Sequence, residues 1–585
     1  MHAWNRVRPR GFHFFISGVV LTLLLAVACG TAAPQSTAAP PKPLVTAAPV
    51  QAAKATPAPI ATAAPSPAQL AAPVVNPGKL TIMVGGWGGR MTLLHATNCH
   101  VYMRNLHGHL IMSDQKRGYI PGIATNWKVS ADGRTWTVTI RDGVKFHDGR
   151  PLSAEDVYFT WLQSWGPGSL DVATSASAIN MANNTVKVEQ TGPNQVSITH
   201  KNADASFPSF ISDVSGSCQA HVLPRWEFDK IRDEAKIRVY DEKPNSVGPL
   251  KLVRHVAEEV MAFERFEDYY FQPKNGFPED RRVRFKSLDL RKVPEEATRA
   301  AALRAGEADI APISLSTRKQ VEAGGGRVIF GQYDAYIYIK LMGPWLPQFP
   351  ISKKEVRQAL SYGMDRGVMR DRLLSPEVFS PRGHSFVSPN SIGYSPELDS
   401  VFDPNKARQL LAAAGYPGGK GFSKLVLNTW SSRATPLLPE SAQLAADMWK
   451  KELGIDVEVK VGDETTLRKV TNSDDDLYGQ MLWRDNEGVV DGGSSFRSAY
   501  ATPANLGRAH NDPALFKLAT EAMGVIDPAL RPEALNKIYQ RLVDEQYQIG
   551  VGYINVPWGV APRVLEWTPQ PMAFYPSALH TIVLK

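Results

Sequence analysis

His95, Cys99, His100, His107 and His109 crowd fifteen residues of the chain. Imidazole and thiolate are the donors that hold nickel, copper or zinc, so the cluster puts metal capture within reach. Cys99 has a competing use, because Cys218 is the only other cysteine beyond Cys29. An oxidising compartment would let the two form a disulfide, and two buried thiols are the alternative. Hydrolytic chemistry finds no such support, since no Gly-x-Ser-x-Gly, His-Glu-x-x-His or phosphate-loop pattern occurs. The chain is expected not to be an enzyme and to need no cofactor.

Non-covalent capture of a small molecule asks for apolar walls and a few convergent polar groups. Trp87 stands between Gly85-Gly86 and Gly88-Gly89, with Arg90 next in the loop. Glycines let a backbone approach a ligand closely, and a tryptophan among them has little local core to join. Trp430 with Arg433, Trp483 with Asp485 and Asn486, and Tyr553 with Trp558 are further pairings of ring and polar group. Arg433 offers a fork for a carboxylate. Ordinary packing competes for each of these residues, because a single Trp or Tyr commonly belongs to a core.

These residues need scaffolds, and 585 residues are too many for one core, so two or more lobes are expected. Residues 1–77 carry five basic and no acidic side chains, which accounts for +5 of the formal charge of +8. The folded remainder has no concentrated basic run, which sets nucleic acid aside. The basic start through Arg10, the apolar run Phe14 to Ala28 and Cys29-Gly30 read as an export signal. Small residues before Cys29 resemble a lipobox, although Ala26 stands where leucine is usual. Residues 31–77 hold 16 Ala and 11 Pro in 47 positions and are expected to form a semi-rigid tether.

From Gly78 onward strands and helices alternate, which predicts an α/β or mixed architecture. Lys79 to Val84 reads as a strand entering the glycine loop. Trp136, Val138 and Ile140 alternate with polar residues after the Ala131-Asp132-Gly133 turn, which predicts a hairpin against Trp127 and Val129. Ser153 followed by Asp156 predicts a capped helix. Glu296 to Ala305 reads as a helix stopped by Gly306. Asp403 and Pro404 open another that carries Ala407, Leu410, Leu411 and Ala414 and stops at Gly415.

Pro121 to Trp127, Asp132-Gly133, and Ile140-Arg141-Asp142-Gly143-Val144-Lys145-Phe146-His147-Asp148-Gly149-Arg150-Pro151-Leu152-Ser153-Ala154-Glu155-Asp156-Val157 resemble extracellular solute-binding protein family 5, the peptide and nickel binding group of ABC importers. Val247-Gly248-Pro249-Leu250, Asp268-Tyr269-Tyr270, Ala301 to Ile310, Val356 to Arg366 and Ala414 to Pro417 follow in the family's order. The resemblance covers roughly 78–585. It implies a periplasmic-binding-protein-like α/β fold of type II, large cluster, with two lobes and a hinge. The implied division is a signal at 1–29, the tether at 30–77, lobe I at 78–332 with an extra subdomain at about 120–235, lobe II at 333–548, and a return to lobe I at 549–585.

The resemblance implies a monomer that captures a solute between its lobes by hinge closure and delivers it to ABC permease and ATPase subunits. It would sit lipid-anchored through Cys29 in the periplasm or on the outer face of the cytoplasmic membrane. A peptide-like solute is the leading expectation, and a metal chelate is the alternative. A ligand sensor would have the same sequence. Tyr336 and Tyr338, just past the implied first crossing, join the site candidates. Peptide binders of the family present an aspartate to the peptide's amino terminus. Asn486 falls at that position here, with Asp485 beside it. His107 and His109 fall on structural family positions, which weakens the metal reading.

Overall fold

A computed structural model describes residues 78–87, 101–113, 118–167, 169, 176–213, 221–228, 234–384, 387–432, 435, 437–464, 466–467, 477–488, 490–493, 512–573 and 575–585. Two large sheets organise them. The first runs in the spatial order Arg327–Phe330, Pro557–Val560, Ile310–Pro312, Lys79–Val84, Ser287–Lys292, Val260–Arg265 and Leu250–Val256. Lys79–Val84 pairs in parallel with Ser287–Lys292, Ile82 opposite Leu290. It is buried on both faces from Leu80 to Val84, the burial expected of a central parallel strand. Both ends of the chain contribute to this sheet. Helix Glu296–Ala305 ends at Gly306 in the left-handed conformation at φ 75°, as the glycine stop predicted.

The second sheet runs Phe379–Ser380, Gln548–Ile554, Ala335–Leu341, Met481–Glu487, Leu425–Thr429 and Val457–Val461. Its central strand Ala335–Leu341 is buried throughout. Alternation along that strand divides the side chains. Ile337 and Ile339 join the core that includes helices Lys354–Tyr362 and Leu438–Leu453, whereas Tyr336 and Tyr338 pack with helices Pro513–Met523 and Arg531–Glu545.

A smaller antiparallel sheet, Ala124–Val129, Thr135–Ile140, Gln195–His200 and Thr185–Gly192, has its own core with helix Ala154–Trp165. Trp136, Val138 and Ile140 point inward, and Trp127 stands opposite Val138. Ser153 N donates to Asp156 Oδ2 at 2.9 Å, the reach-back bond of the expected capping box. Asp403 caps helix Pro404–Ala413 through Lys406 N at 2.9 Å.

The chain passes between the two large sheets twice, at 331–334 and at Asn555–Val556. The second passage differs from the sequence expectation of 549. Strand Gln548–Ile554 pairs along its length with Ala335–Leu341, and an apolar run of that kind suits either sheet until pairing decides. No helix among the described residues is long and apolar enough to cross a membrane.

Candidate functional site: the seam between the lobes

Asp334 ties the two passages together. Its side chain is buried, with Oδ2 accepting from Val556 N at 2.8 Å and Oδ1 from Gln332 N at 3.1 Å. Its own N–H donates to Ile554 O at 2.9 Å. Asn555 adds a second tie, accepting from Tyr333 N at 2.9 Å and donating to Glu377 O at 3.0 Å. Burial pushes the Asp334 carboxyl up to about 7 against the opposing pull of these N–H groups. Two short connections held by side-chain bonds, with large sheets on either side, form the geometry of a hinge.

Beyond the hinge the lobes touch through polar groups. Arg104, on helix Val101–Leu106 of the first lobe, points Nη2 at Glu487 Oε2 of the second, 3.7 Å away. Glu487 ends strand Met481–Glu487 opposite Ala335, the first residue of the second sheet after the passage. Burial pushes its carboxyl up to about 7, against the pull of Arg104, and Oε1 is buried without a hydrogen-bond partner among the described residues. Ala205 N of the small sheet's lobe donates to Met523 O at 2.8 Å. Arg318 pairs with Glu377 at 2.9 Å across the hinge side. On the first-lobe side of Arg104 lies a cavity of about 60 Å³ with mixed walls, bordered by Ser113, Asp213, Arg281 and His580 and by the apolar Met112 and Val283. Asp213 Oδ1 accepts from Ser113 N at 2.7 Å, its backbone oxygen accepts from Arg104 Nη1 at 3.0 Å, and burial raises its carboxyl to about 6.

The side chains singled out in the sequence are distributed differently from the expectation of a common cleft lining. Trp87 is 6% exposed and belongs to the main core cluster. Long-range packing has absorbed a ring that had no local core. Trp430 and Trp483 are fully buried, and Trp483 Nε1 donates to Ser441 Oγ at 3.0 Å. Asp485 is also fully buried and accepts from Thr435 Oγ1 at 2.7 Å and from Ser432 Oγ, which makes it an internal brace of the second lobe. Tyr336, Tyr338 and Tyr553 form one ring cluster, with centroids 5.1 Å apart for the first pair and 5.8 Å for Tyr336 and Tyr553. Trp558 is buried against Trp567 at 5.8 Å.

Asn486 is the exposed member of its strand and donates to Tyr336 OH at 3.3 Å. Arg484 lies 5.5 Å over the Tyr338 ring and 5.8 Å over that of Trp430. Arg90, Arg433, Cys29, Cys99, Cys218, His95 and His100 lie outside the described residues. His107 and His109 are buried in the first lobe. His107 is hydrogen-bonded to Ser246 at 2.7 Å and stacked on His221 at 4.5 Å. Burial lowers His109 to about 3, so it stays neutral. No group of three or more His, Cys, Asp or Glu is placed to hold a metal among the described residues.

Sequence reasoning missed Arg104 and Asp334, while Glu487 and Asn555 fall inside the candidate stretches Trp483 to Asp491 and Tyr553 to Trp558 without being named individually. Glu487 stands one residue past Asn486 in the stretch already singled out. Arg104 gives no sequence signal, because its partner is hundreds of residues away.

The model of the family described as bacterial extracellular solute-binding proteins, family 5 Middle, matches residues 118–506. The chain is 25% identical over 481 residues to heme-binding protein A of Haemophilus influenzae, covering 78% of this chain and 82% of that protein. It is 30% identical over 318 residues to the glutathione-binding protein of Escherichia coli K12 and covers 53% of this chain and 55% of that protein, so this match spans about half of the relative's length. An ABC transporter-associated periplasmic binding protein of Helicobacter pylori, solved with the peptide STSA, superposes with a TM-score of 0.69 at 20% identity. That superposition covers 87% of this chain and 98% of the other, and establishes the two-lobed fold.

Proposed function

The chain belongs to family 5 of the bacterial extracellular solute-binding proteins, and from that premise we propose that it supplies an ABC importer with a small peptide or peptide-like solute captured between its lobes. The observation that carries the proposal is the pair of passages at 331–334 and 555–556, latched by Asp334, with charged groups from both lobes meeting at Arg104 and Glu487. A ligand that touches both lobes stabilises the closed form by its differential affinity for it. Glutathione and peptide are what two of the similar proteins are named for or were solved with, and both bear the polar groups such a seam would recognise.

Export by the N-terminal segment, acylation at Cys29, the Ala/Pro-rich tether, permease and ATPase partners and a monomeric state complete the proposal. Members of the family bind rather than transform their solutes, and no catalysis is assigned to this chain. The test is thermal unfolding of the protein after denaturation and refolding have stripped carried-over solute. Di- to pentapeptides and glutathione are expected to raise the midpoint, as any ligand of the folded state must. A panel in which only sugars, polyamines or nickel chelates raise it would replace the peptide assignment.

A further inference from the structure

The cavity of about 60 Å³ behind Arg104 has more hydrogen-bonding capacity on its walls than the first lobe uses. Arg104 and Arg281 both border it, with side chains only 10% and 11% exposed. Among the described residues each makes a single side-chain hydrogen bond, Arg104 Nη1 to Asp213 O at 3.0 Å and Arg281 Nε to Glu279 Oε1 at 2.6 Å. Arg104 Nη2 stands 3.7 Å from Glu487 Oε2, outside hydrogen-bond length. A guanidinium donates along a whole fork of N–H groups, so both side chains have donors to spare. Gln570 is buried on the same wall, and its side-chain amide makes no hydrogen bond among the described residues. Buried polar groups left unpaired are costly, so a surplus of this kind marks a place for a polar guest.

Charge and size narrow the choice of guest. Asp213 is the one carboxylate bordering the cavity among the described residues, against two guanidiniums, and neither Glu279 nor Glu487 borders it. Burial keeps His109 and His580 neutral, so they add no charge. Asp213 Oδ1 accepts from Ser113 N at 2.7 Å, which leaves Oδ2 as a spare acceptor. Guanidinium forks favour an oxyanion, and the spare carboxylate oxygen favours an O–H on that same anion. At about 10–15 Å³ for each water-sized position the cavity takes roughly four to six, which suits a tetrahedral oxyanion. We propose that the cavity is a second ligand site, within the first lobe, for a small protic oxyanion of the hydrogen-phosphate class. Arg104 and Arg281 donate to its charged oxygens, and Asp213 Oδ2 accepts from its O–H. Sulfate has nearly the same shape and charge but no proton, so it would set two anions face to face at Asp213. The site stands whatever the solute of the seam is.

The experiment is titration calorimetry of the stripped protein without solute, in phosphate-free buffer at pH 8, with inorganic phosphate, sulfate and chloride at equal ionic strength. At that pH the Asp213 carboxyl, raised by burial to about 6, is ionised, and inorganic phosphate still carries an O–H. Phosphate is expected to bind about 10- to 100-fold more tightly than sulfate or chloride, the range of a hydrogen bond to a charged group. Asp213→Asn keeps an oxygen for Ser113 N and turns the spare acceptor into a donor, so it should erase the preference over sulfate. Arg281→Gln should weaken phosphate about 10-fold or more. Melting temperatures show that the variants fold, and if one does not, the wild-type preference and the other variant still decide. Equal affinity for phosphate and sulfate in the wild type, no binding of phosphate, or a preference that survives in Asp213→Asn overturns the proposal. Phosphate affinity unchanged in Arg281→Gln also overturns it, by placing the ion elsewhere. None of these outcomes bears on peptide capture at the seam, which is read with peptides and glutathione.

Discussion

Replacing Asp334 by asparagine tests the hinge through its titration. The folded protein holds the Asp334 proton up to about pH 7, against an ordinary value of 3.8. Between those values the folded state binds more protons than the unfolded chain, so this group's contribution to stability falls as pH rises from about 4 to about 7 and is flat on either side. A displacement of about three units corresponds to at most about 4 kcal/mol over that window. The amide of Asp334→Asn does not titrate there, so subtracting the variant's profile from the wild type isolates the contribution from those of Glu487 and Asp213, whose carboxyls are raised too. Urea unfolding at pH 4.5, 6 and 8, at constant ionic strength, reads the difference. The wild type should lose about 2–4 kcal/mol relative to the variant between the extremes. Parallel profiles would show that Asp334 is solvated or fully paired as an anion, and would refute the buried hinge carboxyl.

Asp491→Leu should cost about 3–5 kcal/mol in urea unfolding, because Arg531 Nε at 2.7 Å and Nη2 at 3.0 Å would lose their buried partner. Adding Arg531→Met should restore most of it, and an uncorrected double variant would contradict the reasoning. Trp483→Ala should cost about 3–5 kcal/mol as a core truncation, yet leave the solute affinity of the folded fraction unchanged by calorimetry. Gly331→Ala places a methyl against Asp334 Oδ2 and should displace the carboxyl, abolishing the same pH-dependent difference that Asp334→Asn removes.

Elements whose causes are local were readable in the sequence. The Asp403 cap, the Gly306 stop and the hairpin around Gly133 each depend on residues a few positions apart, and each stands where the pattern placed it. The site was readable only in part, because the face a side chain takes is decided at long range. Trp483 and Asp485 point into the second lobe because Ser441 and Thr435 wait there. Asn486, the next residue along, points the other way, as the two-residue period of a strand requires. Trp87 looked isolated among glycines, but distant segments bury it. The return at 555 rather than 549 was illegible for the same reason, since Gln548–Ile554 shows its allegiance only through pairing with Ala335–Leu341.

The central claim, closure of two lobes on a solute about the 331–334 and 555–556 passages, is tested most directly by small-angle X-ray scattering. The purified, stripped protein would be measured with and without saturating glutathione or whichever tripeptide raises its melting temperature. The account predicts a smaller radius of gyration and a shorter maximum dimension when the solute is bound. Scattering curves that superpose despite calorimetrically proven occupancy would contradict it.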